Sequence, residues 1–64
     1  MSKISMKIKK LRERKGLTQV SLAKNAGLAL ATIEKIEGKT RVPTLETRKK
    51  LAKALGVPIT ELLD

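Results

Sequence analysis

Apolar positions recur along this chain in short runs at helical spacing, separated by glycines and polar stretches. Ile4, Ile8 and Leu11 share one face of a helix predicted over residues 5–15, with Ser5 as its N-cap and Gly16 just past its end. Residues 1–3 are expected to form a basic arm ahead of it. Leu22, Ala23 and Ala26 form a second stripe, in a helix over Gln19–Ala26, and Ile33 and Ile36 form a third, over Leu30–Glu37. Leu45, Leu51, Ala52 and Leu55 give the buried face of a fourth helix over Leu45–Leu55, leaving Arg48, Lys49, Lys50 and Lys53 to solvent. Pro58 opens a short fifth helix over residues 59–63, carrying Ile59, Leu62 and Leu63. Helices this short are marginal alone in water, so each stripe needs the others for cover. The expectation is an all-α, compact five-helix domain spanning residues 1–64.

The punctuation agrees with the periodicity. Thr18 and Thr44 stand where an N-cap hydroxyl accepts from a free backbone N–H, and Glu46 follows in a first turn, where it complements the dipole. Gly27 ends the second helix where a sharp turn needs left-handed backbone. Ala23 is small where two helices approach closely, and Leu28 fills the corner. Ala29 cannot cap, so the start of the third helix is expected either to fray or to be capped by backbone geometry or water. Two helices crossing across a turn of a few residues form a helix-turn-helix, here over about 18–37.

Charge narrows the partner. Fifteen Lys and Arg oppose six acidic residues, a formal net charge of +9. Residues 1–15 alone hold seven basic side chains against Glu13. A small domain of this charge predicts a polyanion, nucleic acid first and anionic membrane second. Phe, Tyr and Trp are all absent, and single-stranded nucleic-acid modules stack bases on aromatic rings. Duplex DNA is the favoured polyanion. A basic amphipathic first helix lying on lipid is disfavoured by its narrow apolar face, which has no aromatic anchor.

The residues Leu11-Arg12-Glu13, Gly16-Leu17-Thr18-Gln19, Leu22-Ala23, Ala26-Gly27-Leu28, Thr32-Ile33, Ile36-Glu37, Gly38-Lys39-Thr40-Arg41, Pro43, Leu45-Glu46-Thr47 and the run LAKALGV over 51–57 carry a resemblance to the Cro/C1-type (XRE-like) helix-turn-helix repressor family. It covers roughly residues 7–63, and the joint spacing is far more specific than any one motif. The resemblance implies a lambda-repressor-like fold with the helix-turn-helix as helices 2 and 3. It implies sequence-specific binding of double-stranded DNA as a transcriptional regulator on a pseudopalindromic operator and as a homodimer; repression follows from occupying a promoter, though no sequence feature separates repressor from activator.

It also implies residue roles. Gln19, in the first turn of its helix, touches the DNA backbone, as suits free N–H groups and a positive dipole end. Leu30–Glu37 enters the major groove, presenting Leu30, Ala31, Thr32 and Lys35. The family often has polar residues where Leu30 and Ala31 stand; these two can meet thymine methyl groups but cannot hydrogen-bond a base. Lys39, Thr40 and Arg41, in the loop over 38–44, ride along phosphates, which position without reading sequence. The family often has one more residue before the glycine that here follows Glu37. Arg12 pairs with Glu37 as a structural clamp, which Arg's planar fork suits. Leu62 closes the core, and Ile59 and Leu63 serve either the core or a dimer interface.

Rival classes fare unequally. An enzyme is disfavoured because histidine, cysteine and tyrosine are missing and the six carboxylates suggest no dyad. No cofactor, metal or small-molecule ligand is implied, and no run approaches the ~20 apolar residues of a membrane span. The expected location is cytoplasmic, nucleoid-associated when bound to DNA. A protein-interaction module, antitoxin-like or co-regulatory, stays open because Leu30 and Ala31 are apolar. Architectural binding without sequence preference stays open because charge alone gives that.

Overall fold

A computed structural model describes residues 3–63. Four α-helices appear: α1 (Lys3–Arg14), α2 (Gln19–Ala26), α3 (Leu30–Glu37) and α4 (Leu45–Leu55). The expected fifth helix is instead a single 3₁₀ turn, Ile59–Leu62. So the five-helix expectation becomes four α-helices and one 3₁₀ turn. The physical reason is length: Pro58 precedes it in extended backbone and only four residues follow before the chain straightens at Leu63, too few for a regular α-helical ladder.

The caps explain the boundaries of α2 and α4. Thr18 Oγ1 accepts from the Ser21 N–H at 3.0 Å, and Thr44 Oγ1 accepts from the Thr47 N–H at 3.2 Å. Gly27 adopts left-handed backbone (φ 66°, ψ 35°) while Leu28 N–H returns to Ala23 C=O at 2.9 Å, closing α2 and aiming the chain into α3. Ala29 caps α3 with no side-chain hydrogen bond. At the start of the chain the boundary differs from expectation. Lys3 already belongs to α1, and Ser5 lies buried inside that helix rather than capping it. Residues 1 and 2 of the expected arm lie outside the described residues.

The core is built where the stripes meet. Ile4 and Ile8 from α1, Leu22, Ala23 and Ala26 from α2, Ile33 and Ile36 from α3, Leu51, Ala52 and Leu55 from α4, and Leu62 from the 3₁₀ turn are all buried. Leu11, Leu17, Leu28 and Ile59 pack partly buried against this cluster. α2 packs on both α3 and α4, and α1 lies across α3, α4 and the 3₁₀ turn. Leu45 corrects a sequence expectation: it is 55% exposed. It occupies the first position of α4, at the edge of the buried stripe that Leu51, Ala52 and Leu55 continue.

Arg48 also departs from expectation. Expected in solvent, it is half-buried, and its guanidinium donates to Pro43 C=O at 3.1 Å and to Leu62 C=O at 2.9 Å. It ties the loop before α4 to the 3₁₀ turn after it.

The loop after α3 holds local strain. Gly38 is not left-handed (φ −79°); Lys39 is, at φ 65°. Side chains disfavour that region because Cβ crowds the backbone. Lys39→Gly is therefore expected to stabilise the fold by about 0.5–1 kcal/mol, raising the melting temperature by a few degrees. A thermal melt followed by circular dichroism checks this, and an unchanged or lower midpoint contradicts it. Gly38 has the opposite requirement: a Cβ there would stand 2.9 Å from Glu34 C=O.

Candidate nucleic-acid interface

The third helix presents its reading face because its other face is committed to the core. Ile33 and Ile36 are fully buried. Helical geometry then turns Ala31 and Lys35 outward; both are exposed, Leu30 is 38% exposed and Thr32 is half-buried. An exposed helix of this kind fits the width of a major groove.

The loop after α3 folds back onto that helix. Lys35 C=O accepts from Thr40 N–H at 2.9 Å, from Thr40 Oγ1 at 3.1 Å and from Arg41 N–H at 3.2 Å. The Thr40 hydroxyl proton is thereby spent on the loop itself. Arg41 is carried over α3, where its guanidinium approaches Thr32 Oγ1 at 3.5 Å. Thr32, Lys35 and Arg41 thus share one exposed face. Lys39 is exposed in the same loop.

Behind this face lies a polar cluster. Arg12 Nε donates to Glu37 Oε2 at 2.7 Å, Arg12 Nη2 donates to Glu37 Oε1 at 3.0 Å, and Arg12 Nη1 donates to Leu17 C=O at 2.8 Å. The Arg12 and Glu37 side chains are 11% and 4% exposed. This is a bidentate, charge-assisted pair, the strong form of such contacts. Its hydrogen bond to Glu37 raises the Arg12 pKa above the ordinary value; burial works against that rise and does not cancel it.

Gln19 joins the same cluster, since its Nε2 donates to Glu37 Oε1 at 3.1 Å. The amide is therefore anchored from behind rather than free in solvent. One carboxylate locks the end of α1, the start of α2 and the end of α3 together. Sequence reasoning assigned Arg12–Glu37 and Gln19 to separate tasks. Their convergence depends on the α2–α3 crossing, which periodicity alone does not supply.

Ile59 and Leu63 differ in burial. Ile59 is half-buried against the core, whereas Leu63 is 47% exposed. Leu63 follows the Leu62 carbonyl held by Arg48, and exposed Val42 precedes the Pro43 carbonyl held by the same guanidinium. Among the described residues, no helix is long and apolar enough to cross a membrane, and no group of His, Cys, Asp or Glu could hold a metal ion.

Comparisons with known proteins agree with this architecture. The transcriptional repressor RstR of the cryptic phage CTXphi, from Vibrio cholerae, is 44% identical over 60 residues, which are 94% of this chain and 54% of that protein. The transcriptional repressor RghR of Bacillus subtilis (strain 168) is 41% identical over 64 residues, 98% of this chain and 47% of that one. The chain spans about half the length of the curated relatives it matches. Among solved structures, the restriction-modification controller protein C.AhdI from Aeromonas hydrophila is similar with a TM-score of 0.89 and 33% identity, over 94% of this chain and 91% of that one. The wild-type controller protein C.Esp1396I is similar at 0.86 and 35%, over 98% and 91%. A helix-turn-helix family model matches residues 8–62, and the chain belongs to that Cro/C1-type helix-turn-helix family.

Proposed function

We propose that this chain binds double-stranded DNA sequence-specifically as a transcriptional regulator, a repressor in the manner named for RstR and RghR. The observation that carries the reading is the shared face of Thr32, Lys35 and Arg41 beside exposed Leu30 and Ala31. With α3 in the major groove, Leu30 and Ala31 meet thymine methyl groups, Lys35 donates to guanine or phosphate, and Thr32 receives support from Arg41. Arg41, Lys39 and the amide-rich start of α2 near Gln19 take the flanking phosphates. Thr40 acts through the loop it holds. Binding takes place in the cytoplasm, and it calls for no cofactor or catalysis.

One such unit reads only a few base pairs. Two copies on a pseudopalindromic operator place both recognition helices in successive major grooves, about 34–36 Å apart. Leu63, with Val42 and Leu45 nearby on the segments around Arg48, supplies the apolar surface for that homodimer, and Ile59 supports it from the core side.

Selection of duplexes from a random pool at about 150 mM salt, where long-range attraction is screened, tests the reading. The expected result is a two-fold symmetric motif with half-sites one helical turn apart. Arg41→Ala is expected to weaken binding to the selected site by about tenfold or more, on the scale of a charge-assisted hydrogen bond, with the thermal midpoint unchanged. Recovery of no motif, with binding lost as salt rises, overturns sequence-specific recognition and leaves Leu30 and Ala31 as a surface for a protein partner.

A further inference from the structure

Acids are few on this chain, and most of those on its helices have a task. Glu37 is hydrogen-bonded to Arg12, Glu61 stands 3.7 Å from Lys7, and Glu46 lies in the first turn of α4, where it complements the helix dipole. Glu34 has no such role. It is exposed on α3, and among the described residues it has neither an ion-pair partner nor a side-chain hydrogen bond. Helical arithmetic fixes its direction. At 3.6 residues per turn, Glu34 falls between Leu30 and Ala31 around the helix axis, about 130° from the midpoint of buried Ile33 and Ile36. It therefore belongs to the same exposed face as Leu30, Ala31 and Lys35. A carboxylate there repels phosphates, against the attraction that a net charge of +9 supplies. What it offers in return is an acceptor.

We infer that Glu34 is a specificity-determining residue that accepts a hydrogen bond from the N4 amino group of a cytosine in the major groove. The inference rests on the DNA-binding reading above and names a base that this reading leaves open. An ionised carboxylate only accepts, and the base-edge donors in the major groove are the amino groups of cytosine and adenine. Adenine also presents its N7 acceptor beside the amino group, and that lone pair repels a carboxylate. Cytosine carries no acceptor beside its own amino group, so cytosine is the better fit. Guanine and thymine present acceptors alone and are rejected by the same charge. Position along the helix ties this base to its neighbours. Glu34 stands three residues past Ala31 and four past Leu30, about 4.5–6 Å along the axis. At 3.4 Å per base pair, the cytosine lies about one to two base pairs from the thymine met by Leu30 or Ala31. Glu34 thus gives the face a charged acceptor where Lys35 and Arg41 supply donors.

The test runs the duplex selection at about 150 mM salt with three full-length chains, native, Glu34→Gln and Glu34→Ala, each first shown folded by circular dichroism. Affinities are then measured on the native selected duplex and on duplexes changed at one base pair at a time. The native chain is expected to select a C·G pair beside a thymine and to prefer it about tenfold or more over the other three pairs there, the scale of a good base contact. Glu34→Gln should move that preference to A·T, because an amide both donates to N7 and accepts from the amino group of adenine. Glu34→Ala should lose the preference at that pair alone and bind mixed-sequence duplex at least as tightly as the native chain, having lost a charge that phosphates repel. The same motif from all three chains overturns the inference. So does uniform tightening of Glu34→Ala on every duplex with the preference intact, which would mean that Glu34 only repels phosphates. If the native chain selects no motif at all, the sequence-specific reading fails and Glu34 with it; a native two-fold motif that ignores Glu34 leaves that reading standing and sinks only the cytosine contact.

Discussion

An Arg12→Ala chain is expected to melt at least about 12 °C below the native one, and to lose most of the ~3–5 kcal/mol that a core of this size supplies. The estimate follows from what the substitution leaves behind. The Glu37 side chain is 4% exposed, and among the described residues it accepts two of its three hydrogen bonds from Arg12. Removing one partner of a buried pair strands the other charge, at a cost of about 3–5 kcal/mol. In domains of this size each kcal/mol moves the midpoint by about 4–8 °C. The substitution also frees Leu17 C=O, which accepts from Arg12 Nη1. Circular dichroism is the readout, because a chain without Trp or Tyr has no useful intrinsic fluorescence.

Two further variants separate charge from shape. Arg12→Lys keeps the charge and loses the planar fork, so part of the loss should remain. Replacing both partners, with Arg12→Met and Glu37→Leu, removes the stranded charge and should recover part of the stability. An Arg12→Ala midpoint within a few degrees of native would show that the cluster contributes little to the fold.

This cluster also shows which parts of the molecule were legible in advance. The ends of α2 and α4 were readable because local chemistry sets them: Thr18 and Thr44 cap, and Gly27 and Gly56 turn left-handed. The buried stripes of α2 and α3 followed from periodicity. What periodicity could not provide was anything decided between elements. Ser5 looks like a cap in sequence, yet neighbouring helices bury it inside α1. Leu45 matches the apolar pattern but stands exposed at a helix start. Arg48 looks solvated, yet two carbonyls from distant segments converge on it. The strain at Lys39 was hidden because a glycine stands directly beside it. In the candidate interface, the residue types were legible. That Thr40 is spent on Lys35 C=O, and that Arg41 is drawn to Thr32, depends on how the loop folds back.

Leu22→Ala is expected to leave the free chain largely unfolded, and saturating duplex DNA is expected to refold it. Leu22 is fully buried on α2, the helix that packs against both α3 and α4. Truncating a buried leucine removes its transfer energy and leaves a cavity, about 2.7–5 kcal/mol together. A single core of this size supplies only about 3–5 kcal/mol, so the loss is comparable to the whole. A ligand that binds only the folded state stabilises by mass action, by about 2.7 kcal/mol at one hundred times its Kd. Helical circular dichroism, weak in the free variant at low salt, should therefore rise as duplex is added and fall again as salt releases it. Leu22→Met, which nearly conserves volume and costs less than about 1.5 kcal/mol, should stay folded and bind without a helical gain. A Leu22→Ala chain that melts cooperatively near the native midpoint would place the stability outside the α2–α3–α4 contact. If it unfolds but gains no helix on duplex that Leu22→Met binds, DNA binding and the helix-turn-helix fold are not coupled as proposed.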